Sequence, residues 1–257
     1  MDLTVTIIQT NLYWENPTAN RKHFGQLFKQ IRRTDLILLP ETFSTAFSMN
    51  SKSLAEEMNG ETMRWLARSA VELNTVIAGS LIIKEEGKIF NRFLFVSPKG
   101  EIEFYDKRHL FRMGEEHNHF TAGEERLIYE LKGWKICPQI CYDLRFPVWS
   151  RKQNEVEYDL LVYAANWPEA RKSAWEKLLY ARAIENQTYV AAINRIGEDG
   201  NGVNCAGGSS VIDPKGDLIW NAQESEAVKT ITFSKKSLAD FRKKFPLGLD
   251  ADNFEIK

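Results

Sequence analysis

The chain has 257 residues, 43% of them hydrophobic, and its 34 lysine and arginine residues nearly balance 35 aspartate and glutamate residues, for a net charge of −1. This composition can build a large core, and a nearly neutral chain gives no sign of a surface for nucleic acid or acidic lipid. Its apolar runs are far shorter than the roughly 20 residues that span a bilayer, and the first residues lack a basic leader pattern. We therefore expect a folded cytoplasmic protein of one or two domains that binds neither nucleic acid nor membrane.

Strand and helix patterns alternate along the first half of the chain. The helical pattern is clearest where Phe24, Leu27, Phe28 and Ile31 recur at the spacing of one helix face. The predicted elements are, in order, a strand over 3–12, a helix over 16–33, a strand over 35–41, a helix over 61–74, a strand over 75–83 and a hairpin over 91–107.

The alternation continues in the second half. Its predicted elements are strands over 136–140 and 158–166, a helix over 173–187, a strand over 188–197 and a hairpin over 209–220. Strands that are apolar on both faces and separated by helices predict an α/β layered domain.

Polar or reactive side chains follow three of these apolar strands. Glu41 ends the segment "DLILLPE", Cys141 follows "ICPQI", and Asn166 and Trp167 follow "DLLVYAA". Open α/β sheets bind ligands at the carboxyl ends of their strands. We therefore expect these residues to share a pocket.

Cys141 is the candidate nucleophile of that pocket, and a thiol needs a base to take its proton during attack. Glu41 can be that base if burial raises its pKa enough for the carboxylate to hold the proton it accepts near neutral pH. Lys107, at the end of the predicted hairpin, and the backbone N–H of Tyr142 are candidate donors to an oxyanion.

The remaining cysteines and histidines give weaker signals. Three cysteines cannot all pair, and Cys137 and Cys205 are interpreted as inert buried thiols. His117 and His119 have no evident third ligand, so we predict no metal site.

Three motifs together resemble a known family. Glu41 in "LLPETF", Lys107 in "YDKRHLF" and Cys141 in "ICYDLRFP" are similar, in order and context, to the Glu-Lys-Cys triad of the nitrilase superfamily of carbon-nitrogen hydrolases. The resemblance covers nearly the whole chain and implies one domain over residues 1–257, a four-layer α-β-β-α sandwich and no cofactor. The segments "DKRHLFRMGEEHNHFTAGEE" and "CYDLRFPVWSR" are most similar to the omega-amidase branch, whose members hydrolyse the side-chain amide of α-ketoglutaramate and related monoamides.

The same resemblance implies further roles. Family members carry a second glutamate shortly after the lysine, for which we prefer Glu115 over the adjacent Glu116. Arg145 is expected to fix the cysteine loop or Asp143 rather than to touch substrate. The distal carboxylate of the substrate is expected to meet Lys, Arg or Tyr side chains in the loops after Glu41 and Asn166.

The resemblance also implies a homodimer or larger homo-oligomer. The C-terminal tail, from about residue 236 to 257, carries apolar residues for such an interface, or it packs onto its own subunit. These apolar residues are Phe241, Phe245, Leu247, Leu249 and Phe254.

Three other functions remain open from the sequence. Another amidase or a carbamoyl hydrolase of the same superfamily would share the triad. A papain-like thiol hydrolase would instead need one of the four histidines as its base. A catalytically silent interaction protein would have no use for a complete triad.

Overall fold

Two large sheets form the frame of the molecule. A computed structural model describes residues 1–152 and 157–256, which form fourteen strands and six α-helices. The strands are β1 (Leu3–Gln9), β2 (Leu36–Leu38), β3 (Val76–Glu85), β4 (Lys88–Val96), β5 (Ile102–Asp106), β6 (Tyr129–Leu131), β7 (Trp134–Ile140), β8 (Leu160–Ala164), β9 (Tyr189–Ile193), β10 (Ile196–Glu198), β11 (Asn204–Ala206), β12 (Ser210–Ile212), β13 (Leu218–Asn221) and β14 (Ala227–Phe233). The helices are α1 (Pro17–Phe28), α2 (Ser51–Leu54), α3 (Glu61–Leu73), α4 (Pro147–Ser150), α5 (Lys172–Asn186) and α6 (Lys235–Lys244).

Each large sheet has six strands and a parallel centre. The first sheet has the order β14-β1-β2-β3-β4-β5, and the second has the order β13-β12-β9-β8-β7-β6. β1, β2 and β3 run parallel, as do β7, β8 and β9. Parallel neighbours need a crossover connection, which α1, α3 and α5 provide.

The buried side chains separate into three layers because alternate residues of a strand face opposite sides of a sheet. Leu36 and Leu38 face the core between the two sheets, whereas Ile37 packs against α1 and α3 on the outer side. In the second sheet, Val162 faces the central core and Leu161 packs beneath α5. The predicted four-layer sandwich is therefore confirmed.

Several element boundaries differ from the prediction. The helix predicted over 16–33 begins at Pro17, where the Asn16 side chain accepts a hydrogen bond from Ala19 N at 3.0 Å, and it ends at Phe28. The strand predicted over 188–197 is divided into β9 and β10 because Asn194 and Arg195 are buried polar residues that bond outside the sheet.

The helices of the described residues are also too short or too polar to cross a bilayer.

Candidate active site

The predicted strand ends meet between the two sheets. Glu41 follows β2 and Lys107 follows β5 in the first sheet, while Cys141 follows β7 and Asn166 follows β8 in the second. The contacts of Glu41 with both Lys107 and Asn166 join the two sheets at this point. The site is therefore built by residues from both halves of the sandwich.

Lys107 lies at the centre of a buried charged cluster. Its Nζ lies 2.9 Å from Glu41 Oε1 and 3.0 Å from both carboxylate oxygens of Glu116, and all three side chains are fully buried. Asn91 on β4 adds a hydrogen bond from Nδ2 to Glu41 Oε1 at 2.9 Å. Two carboxylates around one ammonium give the cluster a formal charge of −1 when all three groups are ionised.

The prediction that Glu115 rather than Glu116 is the second glutamate is wrong. Glu115 is exposed and adopts a left-handed conformation with φ +56°, which turns the chain so that the next residue faces inward. Glu116 is the residue beside Lys107, and its Oε2 also accepts the N–H of Phe111 at 2.6 Å. Glu116 therefore ties the buried lysine to the loop that carries Phe111.

The carboxylate of Glu41 is fixed at both oxygens. Oε1 accepts from Lys107 and Asn91, and Oε2 accepts the backbone N–H of Asn166 at 2.8 Å. The Asn166 side chain also donates from Nδ2 to the Glu41 carbonyl oxygen at 2.7 Å. These contacts hold one rotamer of Glu41, the arrangement that a preorganised base requires.

Cys141 occupies a strained turn between β7 and a short 3₁₀ helix, Cys141–Arg145. Its φ of +44° lies in the left-handed region, which costs a non-glycine residue about 1–3 kcal/mol. The N–H groups at the start of a helix have no partner within that helix. The Tyr142 N–H, next to the thiol-bearing residue, is therefore placed where an oxyanion donor is needed.

Asp143 holds this turn against its neighbours. Its Oδ2 accepts from Ile140 N at 2.9 Å and from the Tyr105 hydroxyl at 2.8 Å. Its Oδ1 accepts from His109 N at 3.0 Å and lies 2.8 Å from His109 Nδ1. Because Lys107 lies between Tyr105 and His109 in the chain, Asp143 couples the backbone around the lysine to the turn of the cysteine.

The electrostatics of the site keep the resting thiol protonated. Loss of water and the charge of Glu41 hold the pKa of Cys141 well above its usual range, with Lys107 acting in the opposite direction. Burial alone would lower the pKa of Lys107, but Glu116 and Glu41 raise it above its usual value. Burial also raises the pKa of Glu116. Cys141 therefore needs a base for attack, and Lys107 stays a cation.

A cavity of about 270 Å³ opens in front of Cys141. Its wall is mostly apolar and includes Phe47, Phe111 and Trp167. Tyr142 lines the same cavity, and its ring packs edge-on against Phe111 with centroids 5.1 Å apart. This enclosure has the size and lining expected for a small organic ligand.

Two arginines line this cavity. The guanidinium of Arg145 lies 5.0 Å from the ring centroid of Trp167, and that of Arg171 lies 5.4 Å from the ring centroid of Phe111. Arg145 was expected to fix the cysteine loop or Asp143, but among the described residues its side chain forms no hydrogen bond to either. The carboxylate of Asp143 is bound by Ile140, Tyr105 and His109 instead. Arg171 lies in the loop after Asn166, where sequence analysis expected a carboxylate-binding group.

The other two cysteines lie in different surroundings. Cys137 is buried in the layer between the second sheet and α5, as an inert thiol would be. Cys205 is also buried, but it lines the cavity together with Cys141. Its place in the cavity wall was not predicted.

Sequence reasoning missed two residues that hold the site together. Asn91 interrupts the apolar segment "IFNRFLFV", and a polar residue within a buried strand is the signal that could have identified it. Asp143 was visible only as a neighbour of Cys141, since its partners Tyr105 and His109 are more than 30 residues away.

Comparison with known proteins places this geometry in context. Residues 4–243 match the sequence profile of the carbon-nitrogen hydrolase family. The chain is 46% identical over 257 residues to the omega-amidase YafV of Escherichia coli strain K12, covering 99% of this chain and 98% of the relative. It is 32% identical over 252 residues to the 2-oxoglutaramate amidase of Bacillus subtilis, covering 96% of each.

A solved structure is also similar over the full length. The protein XC1258 from Xanthomonas campestris, described as a CN-hydrolase superfamily protein with an arsenic adduct in the active site, is 45% identical to this chain. The two structures superpose with a TM-score of 0.98 and cover 100% of each other.

Proposed function

Since this chain belongs to the carbon-nitrogen hydrolase family, we propose that it is a cysteine-dependent omega-amidase that converts a monoamide of a small dicarboxylic acid, of the α-ketoglutaramate type, to the diacid and ammonia. Full-length relatives named omega-amidase and 2-oxoglutaramate amidase support this substrate class. The observation that carries the chemistry is the thiol of Cys141 at the cavity, backed by the buried cluster of Glu41, Lys107 and Glu116.

In the acylation step, Glu41 takes the proton of the Cys141 thiol as the sulfur attacks the amide carbonyl carbon. Negative charge then develops on the carbonyl oxygen. The ammonium of Lys107 and the N–H of Tyr142 stabilise that oxyanion. Because the thiol is protonated at rest, the charge is created only as the bond forms.

In the second half of acylation, protonated Glu41 returns its proton to the amide nitrogen. The carbon–nitrogen bond breaks, ammonia leaves, and a thioester on Cys141 remains. Water then attacks the thioester while Glu41 accepts one of its protons. The carbon–sulfur bond breaks, the acid is released, and Cys141 regains its proton.

Supporting residues keep these groups aligned. Asn166 and Asn91 hold the carboxylate of Glu41, and Glu116 holds the ammonium of Lys107 in place. Trp167 forms part of the cavity wall. The reaction uses only the amide, water and these side chains.

We further propose that residues 1–257 act as one hydrolase domain in the cytoplasm, as a homodimer or larger homo-oligomer. The exposed apolar side chains Phe245 and Leu249, which are 55% and 85% exposed, support a subunit contact through the C-terminal tail. Measurement of mass in solution by light scattering tests this association.

Trapping the acyl-enzyme tests the proposed function. Wild-type protein mixed with α-ketoglutaramate or succinamate and quenched in acid should gain the mass of the acyl group on the peptide that contains Cys141, and it should release ammonia. Cys141→Ala should do neither while remaining folded, and the matched variant Cys137→Ala should do both.

Each rival gives a different result. Faster hydrolysis of an unrelated amide or a carbamoyl compound would assign the protein to another branch of the superfamily. Turnover that survives Glu41→Gln but not replacement of a histidine would indicate a papain-like base. A folded wild-type protein that forms no acyl-enzyme with any amide would be a silent interaction protein.

A further inference from the structure

We propose that Arg145 and Arg171 together bind the substrate carboxylate that is remote from the scissile amide, an inference that rests on the proposed function and deepens it. The two guanidiniums would make this protein specific for amides that end in an anion. Both are therefore assigned as specificity-determining residues, distinct from the groups that carry the chemistry.

The first support is that both side chains line the cavity in front of Cys141 with most donors free. Among the described residues, neither arginine forms an ion pair with a carboxylate, and the guanidinium of Arg145 makes no hydrogen bond to protein. Within the described part of the chain, the guanidinium of Arg171 makes one hydrogen bond, from Nη2 to the Met113 sulfur at 3.0 Å. A guanidinium carries five N–H donors, so this cavity holds donors that the protein leaves unused.

The second support is that Trp167 positions both arginines. Its ring lies under the guanidinium of Arg145 at 5.0 Å, and its Nε1 donates to the carbonyl oxygen of Arg171 at 2.9 Å. Phe111 also lines the cavity, and its ring centroid lies 5.4 Å from the guanidinium of Arg171. Stacking on aromatic rings holds a guanidinium in place while leaving its edge open to an anion.

The third support is the local charge balance. Asp199 is the acidic residue of the cavity lining, and its Oδ1 already accepts from Asn201 N at 2.8 Å and Val203 N at 2.9 Å. Two arginines against one aspartate leave the lining with a formal charge of +1. The carboxylates of Glu41 and Glu116 are buried and already bind Lys107 and its neighbours. An anionic end of the substrate is thus attracted to the arginines and repelled from the carboxylates, which orients the amide toward Cys141.

A carboxylate is the anion that fits this arrangement. The planar fork of arginine matches the two oxygens of a carboxylate, and each such charge-assisted pair is stronger than a neutral hydrogen bond. The cavity of about 270 Å³ has space for a chain of a few carbons but not for an extended polymer. An ammonium at the same end of the ligand would face two like charges, so an amino group there is disfavoured.

A matched substrate pair tests the assignment. Succinamate and butyramide have the same chain length, but succinamate ends in a carboxylate where butyramide ends in a methyl group. The measured quantity is kcat/KM for succinamate divided by kcat/KM for butyramide. In Arg145→Met and in Arg171→Met this ratio should fall about 10- to 100-fold, mainly because the KM of succinamate rises. Arg171→Lys keeps the charge and should recover part of the ratio. Arg33→Met, which removes an exposed arginine that does not line the cavity, should leave the ratio unchanged.

A binding measurement separates this inference from the proposed function. Calorimetry with glutarate on the Cys141→Ala protein should show about 10- to 100-fold weaker binding when either arginine is also replaced by methionine. The arginine assignment is wrong, and the amidase function stands, if the wild type hydrolyses amides but neither methionine variant changes the substrate ratio or the affinity for glutarate. If glutarate binding depends on the arginines but no amide is hydrolysed, the proposed function fails and the anion site remains.

Discussion

Glu41 and Lys107 influence the same thiol in opposite directions. The carboxylate of Glu41 raises the pKa of Cys141, and the ammonium of Lys107 lowers it. Catalysis nevertheless needs both, because one group moves the proton and the other stabilises the oxyanion. Loss of either group should therefore stop the reaction while leaving different chemical signatures on the thiol.

Alkylation of Cys141 by a small neutral reagent across pH measures these signatures. In Glu41→Gln, which removes an adjacent negative charge, the midpoint of the alkylation profile should move to lower pH than in wild type, and amidase activity should fall roughly 10²- to 10⁴-fold. In Lys107→Met the midpoint should move to higher pH, and activity should fall about 10²- to 10³-fold. Midpoints that shift in the same direction would contradict the placement of these charges.

At the scale of single residues, sequence reasoning succeeded where the chain itself supplied the context. Glu41, Cys141 and Asn166 each follow an apolar strand, and the structure brings all three strand ends to one site. The choice between Glu115 and Glu116 failed because both satisfy the same spacing. The left-handed backbone at Glu115 decides which carboxylate faces Lys107. This conformation is a local feature of a loop between two short 3₁₀ turns.

The turn of Cys141 depends on β5 and the loop after it, which sequence analysis did not connect with the cysteine. Asp143 receives hydrogen bonds from β5 through Tyr105, from the following loop through His109, and from the end of β7 through Ile140. Trp149 Nε1 also donates to the Tyr105 hydroxyl at 2.9 Å. Contacts between distant strands of this kind arise from the docking of two sheets, and no periodicity within one segment encodes them.

Asp143→Asn should show how far this network positions the nucleophile. An amide keeps the shape, but one of its two ends no longer accepts, so a buried donor among Ile140 N, Tyr105 and His109 loses its partner. We expect the free energy of unfolding to fall by about 1–3 kcal/mol. The kcat should fall by up to about 100-fold because the thiol is misplaced, while KM changes little.

Tyr105→Phe is the milder form of the same experiment. It removes one of the bonds to Asp143 and should lower kcat less than Asp143→Asn. Tyr13→Phe, at a site that is 53% exposed, is the matched control and should retain wild-type kcat and stability. Equal losses of kcat and of folded protein, with normal activity in the folded fraction, would assign Asp143 a purely structural role.

At the scale of whole elements, apolar periodicity identified most of the strands and the helices α1, α3 and α5, but it missed β6, β14 and α6 and did not define the ends of the elements. α1 stops at Phe28 although the polar residues after it continue a helical pattern, and β9 stops at Ile193 because Asn194 and Arg195 bond to other loops. The hairpin of β10 and β11 was missed because its strands have three residues each. Segments this short carry too few residues to display a period.

The whole molecule should be unusually sensitive to alkaline conditions. Burial raises the pKa of Cys137 to about 12 and that of Cys205 to about 12, from an ordinary value of 9.0. Between pH 9 and about pH 12, these thiols lose their protons in the unfolded chain but keep them in the folded chain. Because the unfolded state then binds fewer protons, the free energy of unfolding decreases as pH rises. Each thiol should therefore lower the free energy of unfolding by about 1.4 kcal/mol per pH unit in this range.

Urea unfolding from pH 8 to pH 11 measures this slope. Cys137→Ala should be less stable at pH 8 because it leaves a small cavity, but its stability should decline more slowly above pH 9 than that of wild type. Val190→Ala removes a fully buried group that does not titrate, on β9 of the same sheet, and this variant should lose stability while keeping the wild-type slope. Parallel curves for wild type and Cys137→Ala would refute the role of this thiol.

The pairing of β1 with β14 has a consequence for synthesis on the ribosome. Residues 3–9 are made early, but their partner residues 227–233 are made more than 200 residues later. At usual translation rates of ~5–20 residues per second, this apolar strand edge waits roughly 10–40 s for its partner. An open edge during that interval can pair with other nascent chains, and the pairing of β14 with β1 ends this exposure.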